Sequence, residues 1–233
     1  MANHYDMTVP GSVKAGKISP QAVAVILSRA DLARAARLRR LPAFFELRLD
    51  ALSPWLDEGE STISRLRAPL IVTARHREEG GRNALSTAQR RALLLRFLPR
   101  AACVDVELRA MRELGAVLDR ARVLRVRRII SVHHMRSTPP IEDLREQALA
   151  SVAAGADVFK IATCTDTREE LDRLVAFFDS TKGRMQISAM GVGKLGRLSR
   201  RLLARRGSVL NYAHLGAAAT EGQLSLAELR CLR

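Results

Sequence analysis

The stretch RIISVHHMRSTPPIEDLREQALASVAAGADVFKIAT, residues 128–163, contains the pattern that decides the fold. It reads as a β-strand, RIISVHH, followed by a helix over residues 141–153 and a second strand, DVFKIAT. Gly155 comes two residues after the last residue of this helix, where a glycine commonly ends one. A strand, a helix and another strand in this order predict two parallel strands joined by a crossover helix.

The same alternation continues through the rest of the chain. The candidate strands are DMTV (6–9), AFFELRLD (43–50), LIVTAR (70–75), CVDVEL (103–108), RIISVHH (128–134), DVFKIAT (157–163), MQISAMG (185–191) and SVLNYAHL (208–215). The predicted helices cover residues 20–41, 55–66, 87–98, 111–123, 141–153, 168–180 and 197–206, and a last helix follows Ser225. Helix start signals occur at Ser19-Pro20, at Ser53-Pro54 and at Thr167, where Glu170 completes a capping box.

Eight strands that alternate with eight helices fit either a closed (β/α)8 barrel or an open, doubly wound sheet. An open sheet usually has a glycine-rich turn after its first strand. Here TVPGSVKAGK, residues 8–17, contains no G-x-G-x-x-G motif. No linker or low-complexity segment interrupts the pattern. The sequence therefore predicts an α/β protein, a (β/α)8 TIM barrel that forms a single domain over residues 1–233.

The composition is that of a globular protein, with 47% hydrophobic and 27% charged residues. The formal net charge of +15 would suit a polyanion partner. However, the arginines are spread along helical segments, and aromatic residues make up only 4%, too few for a base-stacking platform. We therefore expect a solvated basic surface and no nucleic-acid partner.

Cellular location is predicted from the cysteines and the chain start. The three cysteines, Cys103, Cys164 and Cys231, have no metal-ligand spacing, and their odd number argues against a complete set of disulfides. Residues 1–17 have no apolar signal core, and no stretch has the length of a membrane span. We expect a cytoplasmic protein with reduced thiols and no membrane partner.

A lysine inside a predicted buried strand, Lys160 in DVFKIAT, needs an explanation, because burying an unpaired charge costs free energy. Side chains alternate along a strand, so Phe159 and Ile161 are predicted to face the helices. Lys160 would then point into the barrel with Val158 and Ala162. Desolvation by such apolar neighbours favours the neutral form of an amine, which is the form that attacks carbonyl carbons.

Other strands place polar residues on one face near their carboxyl ends, where barrel enzymes have their active sites. These residues are Glu46, Arg48 and Asp50; Thr73 and Arg75, with Glu79 in the following loop; Asp105 and Glu107; Ser131 and His133, with His134 opposite; and Gln186, Ser188 and Met190. A barrel interior is normally filled with branched apolar side chains, so converging charge indicates a polar pocket.

Each of these residues also has a purely structural interpretation. Glu46 and Arg48 could form an ion pair, and Asp105 and Glu107 could brace neighbouring strands or pair with Lys160. As a group, however, they fit Schiff-base chemistry on a small carbonyl acid. Lysine would form the imine, histidine would move protons, and arginine would bind a carboxylate. These residues alone do not separate an aldolase from a dehydratase.

The motifs of residues 44–223 resemble those of one known family, the type I 3-dehydroquinate dehydratases. The motifs are ELRLD (46–50), PLIVTAR with EEGG (69–75 and 78–81), VDVEL (104–108), SVHHMRSTP (131–139), GADVFKIA (155–162), SAMG with SR (188–191 and 199–200) and EGQ (221–223). The resemblance implies a barrel that is usually a homodimer, needs no metal or other cofactor, and converts 3-dehydroquinate to 3-dehydroshikimate and water.

The resemblance also implies roles for nine residues. Lys160 matches the lysine that forms the Schiff base, His133 the general base, and Glu79 the carboxylate that orients the histidine. Arg200 and Gln223 match residues that bind the substrate carboxylate. Glu46, Arg48 and Arg75 match residues near the ring hydroxyls, and Met190 matches a methionine that packs on the ring.

The sequence departs from the family pattern in several places. Two extra residues precede Arg200 in MGVGKLGRLSR. The closing loop has Ala219 where a serine is usual and Glu221 where a proline is usual. Ser188 stands where some members have a methionine, and His134 where an acidic residue is common. We expect these changes to affect substrate affinity and loop closure. A non-catalytic basic binding protein on the same fold remains an alternative, although such a protein has no need of Glu79, His133 and Lys160 together.

Overall fold

A computed structural model describes residues 21–232 of the chain. The predicted strand DMTV at residues 6–9 lies outside the described residues. Within 21–232, no helix is long and apolar enough to cross a membrane.

Eight parallel strands form the (β/α)8 barrel, in the spatial order β7-β6-β5-β4-β3-β2-β1-β8. Their bounds are β1 Gln21–Ile26, β2 Phe44–Arg48, β3 Leu70–Thr73, β4 Cys103–Glu107, β5 Arg127–His134, β6 Val158–Cys164, β7 Ile187–Val192 and β8 Leu210–His214. The barrel architecture predicted from the sequence is confirmed.

The first strand of the barrel is Gln21–Ile26, a segment that the sequence pattern had placed in a helix over residues 20–41. That prediction was wrong, because QAVAVI is apolar on both faces and alanine-rich, which resembles a buried helix as closely as a buried strand. Val23 and Val25 point into the barrel and Ala24 points to the helices, so both faces are covered, as is usual in parallel sheets. The helix begins only at Arg29, after Ser28, whose hydroxyl accepts a hydrogen bond from the backbone N–H of Asp31.

The helices that surround the barrel are α1 Arg29–Arg37, α2 Leu49–Leu52, α3 Leu56–Ile63, α4 Thr87–Phe97, α5 Gly115–Val123, α6 Ile141–Ala153, α7 Arg168–Thr181, α8 Gly196–Arg206 and α9 Leu226–Arg230. Apart from α1 and the short α2, they lie at nearly the predicted positions. The capping box of Thr167 and Glu170 opens α7 as predicted. Asp50 belongs to the one-turn helix α2 and is not part of β2, where the sequence pattern had placed it.

Strand alternation separates two apolar layers. Phe159 and Ile161 pack with α6 and α7 outside the barrel, and Phe159 meets Phe177 edge to face. Val158 and Ala162 belong to the interior layer together with Tyr212 of β8. Lys160 therefore points into the barrel, as the alternation in DVFKIAT predicted.

The barrel closes between β7 and β8 by a different set of bonds from those between its other neighbouring strands. The described residues contain no paired ladder at this place. Instead, the backbone N–H of Val209 donates to the carbonyl of Ile187, at 3.0 Å. The Ser188 hydroxyl donates to the carbonyl of Leu210, at 2.6 Å, and the Ser208 hydroxyl accepts from the backbone N–H of Ala189, at 3.0 Å. One backbone hydrogen bond and two serine side chains thus join the strands.

Candidate active site

One cavity of about 100 Å³ lies at the carboxyl end of the barrel. All nine residues singled out from the sequence line it: Glu46, Arg48, Arg75, Glu79, His133, Lys160, Met190, Arg200 and Gln223. They come from four strands, β2, β5, β6 and β7, from the segment after β3, from the helix α8 and from the loop after β8. The fold therefore brings together every residue that the motifs suggested.

Lys160 lies among carboxylates and an aromatic ring. Its amine donates to Asp105 at 2.8 Å and to Glu46 at 3.4 Å, and it lies 4.0 Å from the centroid of the Tyr212 ring. The prediction that Lys160 sits in an apolar wall is wrong for the amine itself. Lys160 is only 4% exposed, and its burial is tolerated because its charge is paired with these carboxylates. A buried ion is stabilised by an opposite charge within hydrogen-bonding distance.

Asp105 and Glu107 of β4 link neighbouring strands, as their structural interpretation predicted. Asp105 accepts from Arg75 at 2.8 Å and from Ser131 at 2.6 Å, in addition to Lys160. Glu107 pairs with Arg75 and with the buried Arg90. Burial opposes the charge of Asp105, but Arg75 and Lys160 outweigh it and hold the pKa of this carboxyl below its usual value.

Arg75 shows the opposite balance in the same network. Burial would lower the pKa of its guanidinium, but Asp105 and Glu107 together raise it above its usual value. Arg75 therefore carries a fixed positive charge in the wall of the cavity. Glu46 does not pair with Arg48, contrary to the alternative considered from the sequence, and accepts instead from Thr73 at 2.9 Å.

His133 and Glu79 form a hydrogen-bonded pair, with 2.8 Å between Nδ1 and Oε2. Burial, with the nearby charges of Arg75 and Lys160, lowers the pKa of His133 well below its usual value, so the imidazole is neutral near pH 7. Burial also raises the pKa of Glu79 to about 7, although Arg75 opposes this rise. When Glu79 is ionised, it can only accept, so Nδ1 carries the proton and Nε2 is left as a base.

The loop that carries Glu79 is held by two buried carboxylates. Asp50 accepts from the backbone N–H groups of Arg75 and Arg82, at 3.1 and 2.9 Å. Arg48 bridges the same carboxylate and the carbonyl of Gly80. Glu107 accepts from the backbone N–H of His76 at 2.6 Å. The position of Glu79 thus depends on residues at the ends of β2 and β4.

Arg200 of α8 provides a candidate anion site. Its guanidinium is buried and donates only to two backbone carbonyls, those of Gly191 at 3.0 Å and Tyr212 at 3.1 Å. No carboxylate in residues 21–232 pairs with it, and burial lowers its pKa to about 10. A buried guanidinium without a carboxylate partner favours a carboxylate ligand, because a bidentate ion pair compensates for the interactions with water that burial removed.

The two extra residues before Arg200 do not move it out of the cavity. The turn between β7 and α8 leads to Gly196, the first residue of α8, which packs against Gly222 of the closing loop. A Cβ on Gly222 would lie 2.6 Å from the Gly196 Cα atom, so the contact requires glycine. The turn and the closing loop are also joined by the N–H of Gly193 and the carbonyl of Glu221, at 3.1 Å.

The other departures from the family pattern have separate positions. Ala219 and Thr220 line the cavity, and the backbone N–H of Ala219 donates to Gln223 at 2.7 Å. Glu221 is exposed and is not part of the cavity wall, so its carboxylate is not directed at a ligand there. Ser188 faces the joint between β7 and β8, and His134 contacts Gln147 of α6 on the outer side.

Sequence reasoning missed three polar residues near the cavity. Arg82 and Thr220 line it from loops, where no periodic pattern identifies inward-facing positions. Tyr212 lies beneath Lys160, and the alternation of Leu210, Tyr212 and His214 along β8 would have identified it. Its hydroxyl is buried and has no hydrogen-bond partner among residues 21–232.

A larger cleft of about 200 Å³ lies between α1 and α3, beside Trp55. Its polar lining is limited to Thr62 and the exposed ion pair of Arg29 and Glu58, so it has no converging set of reactive groups. No three His, Cys, Asp or Glu side chains in the part of the chain that the structure describes converge as metal ligands do.

Comparison with known proteins identifies the family. A sequence model described as Type I 3-dehydroquinase matches residues 23–232. The chain is 34% identical over 196 residues to a 3-dehydroquinate dehydratase from Thermococcus gammatolerans, covering 83% of this chain and 84% of that protein. It is 34% identical to the enzyme of that name from Thermococcus onnurineus, with 80% and 84% covered. The crystal structure of 3-dehydroquinate dehydratase from Geobacillus kaustophilus HTA426 shares the fold, with a TM-score of 0.81, 23% identity, and 92% and 90% of the chains covered. The chain therefore belongs to the type I 3-dehydroquinase family.

Proposed function

We propose that this protein dehydrates 3-dehydroquinate to 3-dehydroshikimate through a Schiff base on Lys160. The observation that carries this proposal is the convergence of three elements on one cavity: the Lys160 amine, the His133–Glu79 pair and the buried Arg200 guanidinium. Family membership favours a dehydratase over the aldolase that the residues alone left open.

Imine formation is the first step. After losing a proton, the Lys160 amine attacks the C3 carbonyl carbon of the substrate, and the resulting carbinolamine loses water to give a protonated imine. His133 assists by moving protons to and from the oxygen that leaves. Because Asp105 and Glu46 lie next to this nitrogen, they stabilise the positive charge of the imine.

Elimination follows at the neighbouring carbons. The protonated imine draws electrons from the C2–H bond, and Nε2 of neutral His133 takes that proton to leave an enamine. The enamine electrons then expel the C1 oxygen, which leaves as water after it receives a proton from the imidazolium. Water hydrolyses the conjugated imine, so 3-dehydroshikimate is released and Lys160 returns as an amine.

The remaining residues orient the substrate. Arg200 and Gln223 bind its carboxylate, and Glu46 and Arg48 contact the ring hydroxyls. Met190 packs on the ring. Both terminal nitrogens of Arg75 already donate to Asp105 and Ser131, so Arg75 acts at the hydroxyls chiefly through its charge.

The test is an ultraviolet assay with 3-dehydroquinate, followed by borohydride reduction. The conjugated product should absorb strongly, and reduction during turnover should add the ligand mass to Lys160. Lys160→Ala should lose both signals. Lys182→Ala should keep both, because Lys182 is an exposed lysine directly after α7. An adduct on another residue, or activity in Lys160→Ala, would refute the covalent mechanism.

We propose further that the protein acts as a cytoplasmic homodimer, needs no metal or other cofactor, and has no nucleic-acid partner. The last point is supported by exposed arginines that already pair with carboxylates, such as Arg96 with Asp57 and Arg109 with Glu78. Light scattering, activity after chelation and gel-shift assays at several salt concentrations test these statements.

A further inference from the structure

We infer that the ring of Tyr212 is a positioning surface that keeps positive charge on the Lys160 nitrogen after the imine has formed. This inference rests on the proposed Schiff-base function. Tyr212 is 5% exposed and points into the barrel from β8. The Lys160 amine lies 4.0 Å from its ring centroid, within the range of a cation–π interaction.

Three partners hold the Lys160 nitrogen before reaction: the carboxylates of Asp105 and Glu46, and the Tyr212 ring. An ammonium group has three N–H donors, which is enough to bond both carboxylates. A protonated imine has only one N–H, so it can keep a hydrogen bond to only one of them.

The contact with the ring does not depend on an N–H. A cation is attracted to the face of an aromatic ring whether the nitrogen bears three hydrogens or one. When imine formation removes one carboxylate hydrogen bond, the Tyr212 ring therefore retains its attraction for the charge. This charge makes the imine an electron sink, so the ring supports the step in which the C2 proton is removed.

The phenol hydroxyl takes no part in this role. It is buried without a partner in residues 21–232, and burial raises the pKa of Tyr212 well above its usual value, so the ring stays neutral. The ring is held by packing in the interior apolar layer. The backbone carbonyl of Tyr212 also accepts from Arg200, at 3.1 Å, so one residue touches both the imine-forming lysine and the proposed carboxylate anchor.

The experiment compares Tyr212→Phe, which keeps the ring, with Tyr212→Leu, which removes it. Borohydride trapping with 3-dehydroquinate gives the rate of adduct formation on Lys160, and steady-state assays give kcat and KM. Tyr212→Phe should stay within about twofold of the wild type in trapping and kcat. Tyr212→Leu should lower both about 5- to 30-fold, the effect of losing a desolvated cation–π contact. KM should change little, because the Arg200 contact uses the backbone.

The outcomes separate this inference from the function on which it rests. If Tyr212→Leu traps and turns over like the wild type, the ring has no such role. If Tyr212→Phe falls as far as Tyr212→Leu, the hydroxyl is responsible and the inference is wrong. Absence of a Lys160 adduct in the wild type itself would overturn the proposed function, and this inference with it. Circular dichroism checks folding, and Tyr212→Met replaces the leucine variant if that variant does not fold.

Discussion

Replacing Glu79 by glutamine should remove the acid limb of the pH–rate profile. In the wild type, only ionised Glu79 fixes the proton of His133 on Nδ1 and leaves Nε2 free as the base. The pKa of Glu79 is raised to about 7 by burial. Protonation of Glu79 below pH 7 lets the carboxylic acid donate to Nδ1, which moves the ring proton to Nε2 and removes the base.

The size of the effect follows from that pKa. Half of the Glu79 side chains are ionised at pH 7 but only about 1% at pH 5, so kcat/KM of the wild type should fall about 50-fold between these values. The pKa of His133 is lowered well below its usual value by burial and nearby cations, so protonation of His133 follows that of Glu79 as the pH falls. In Glu79→Gln, kcat/KM should be lower by about 10²- to 10⁴-fold at pH 8 and should no longer follow a titration near pH 7.

The assay is the initial rate of 3-dehydroshikimate absorbance between pH 5 and 9 at constant ionic strength. Glu78→Gln is the matched control, because Glu78 lies in the same turn but is exposed and paired with Arg109. It should keep the wild-type limb. A limb that persists with its midpoint near 7 in Glu79→Gln would assign the titration to another group and refute the reasoning.

Four further variants test the remaining parts of the site. His133→Ala should lower kcat about 10²- to 10⁴-fold while the adduct on Lys160 still forms; wild-type turnover would disprove its role as base. Arg200→Lys should raise KM about 10- to 100-fold by losing the bidentate contact, whereas Arg201→Lys on the exposed face of α8 should not; equal KM values would remove the carboxylate anchor. Ala219→Ser should lower KM about 2- to 10-fold if the loop lacks a substrate hydrogen bond, and an unchanged KM would show that the loop compensates. Asp50→Asn should lower the free energy of unfolding, measured by urea titration, by about 3 kcal/mol or more, because it breaks a buried ion pair with Arg48. A loss below about 1 kcal/mol would contradict the role of Asp50 in holding the Glu79 loop.

Much of the fold could be predicted because its signals are local. The strands β2 to β8 are short, mostly apolar runs separated by helical patterns, and some of these helices have clear local signals, such as the capping box of Thr167 and Glu170. The first strand could not be placed in this way. QAVAVI is apolar on both faces, and only its pairing with β2 and β8 shows that it is extended. That pairing is a tertiary property, which sequence periodicity does not contain.

The site was predicted less evenly than the fold. The inward direction of Lys160 followed from strand alternation, but its partners Asp105 and Glu46 come from other strands and depend on the register of the whole barrel. Asp50 was assigned to a strand face, whereas it clamps the Glu79 loop from a helix. Tyr212 gave a usable signal in the alternation of β8, but nothing in the sequence indicated that its ring would lie under the amine.

The joint between β7 and β8 has a consequence for the motions of the barrel. Everywhere else, separating two neighbouring strands breaks a ladder of backbone hydrogen bonds. Here it breaks one such bond and three hydrogen bonds of the Ser188 and Ser208 side chains. Local opening should therefore begin at this joint, and the amides of Ala189 and Val209 should exchange with deuterium before those between β5 and β6. Since Met190 and Tyr212 border the joint, the enzyme is weakest against thermal fluctuation directly beside the place where its substrate ring would lie.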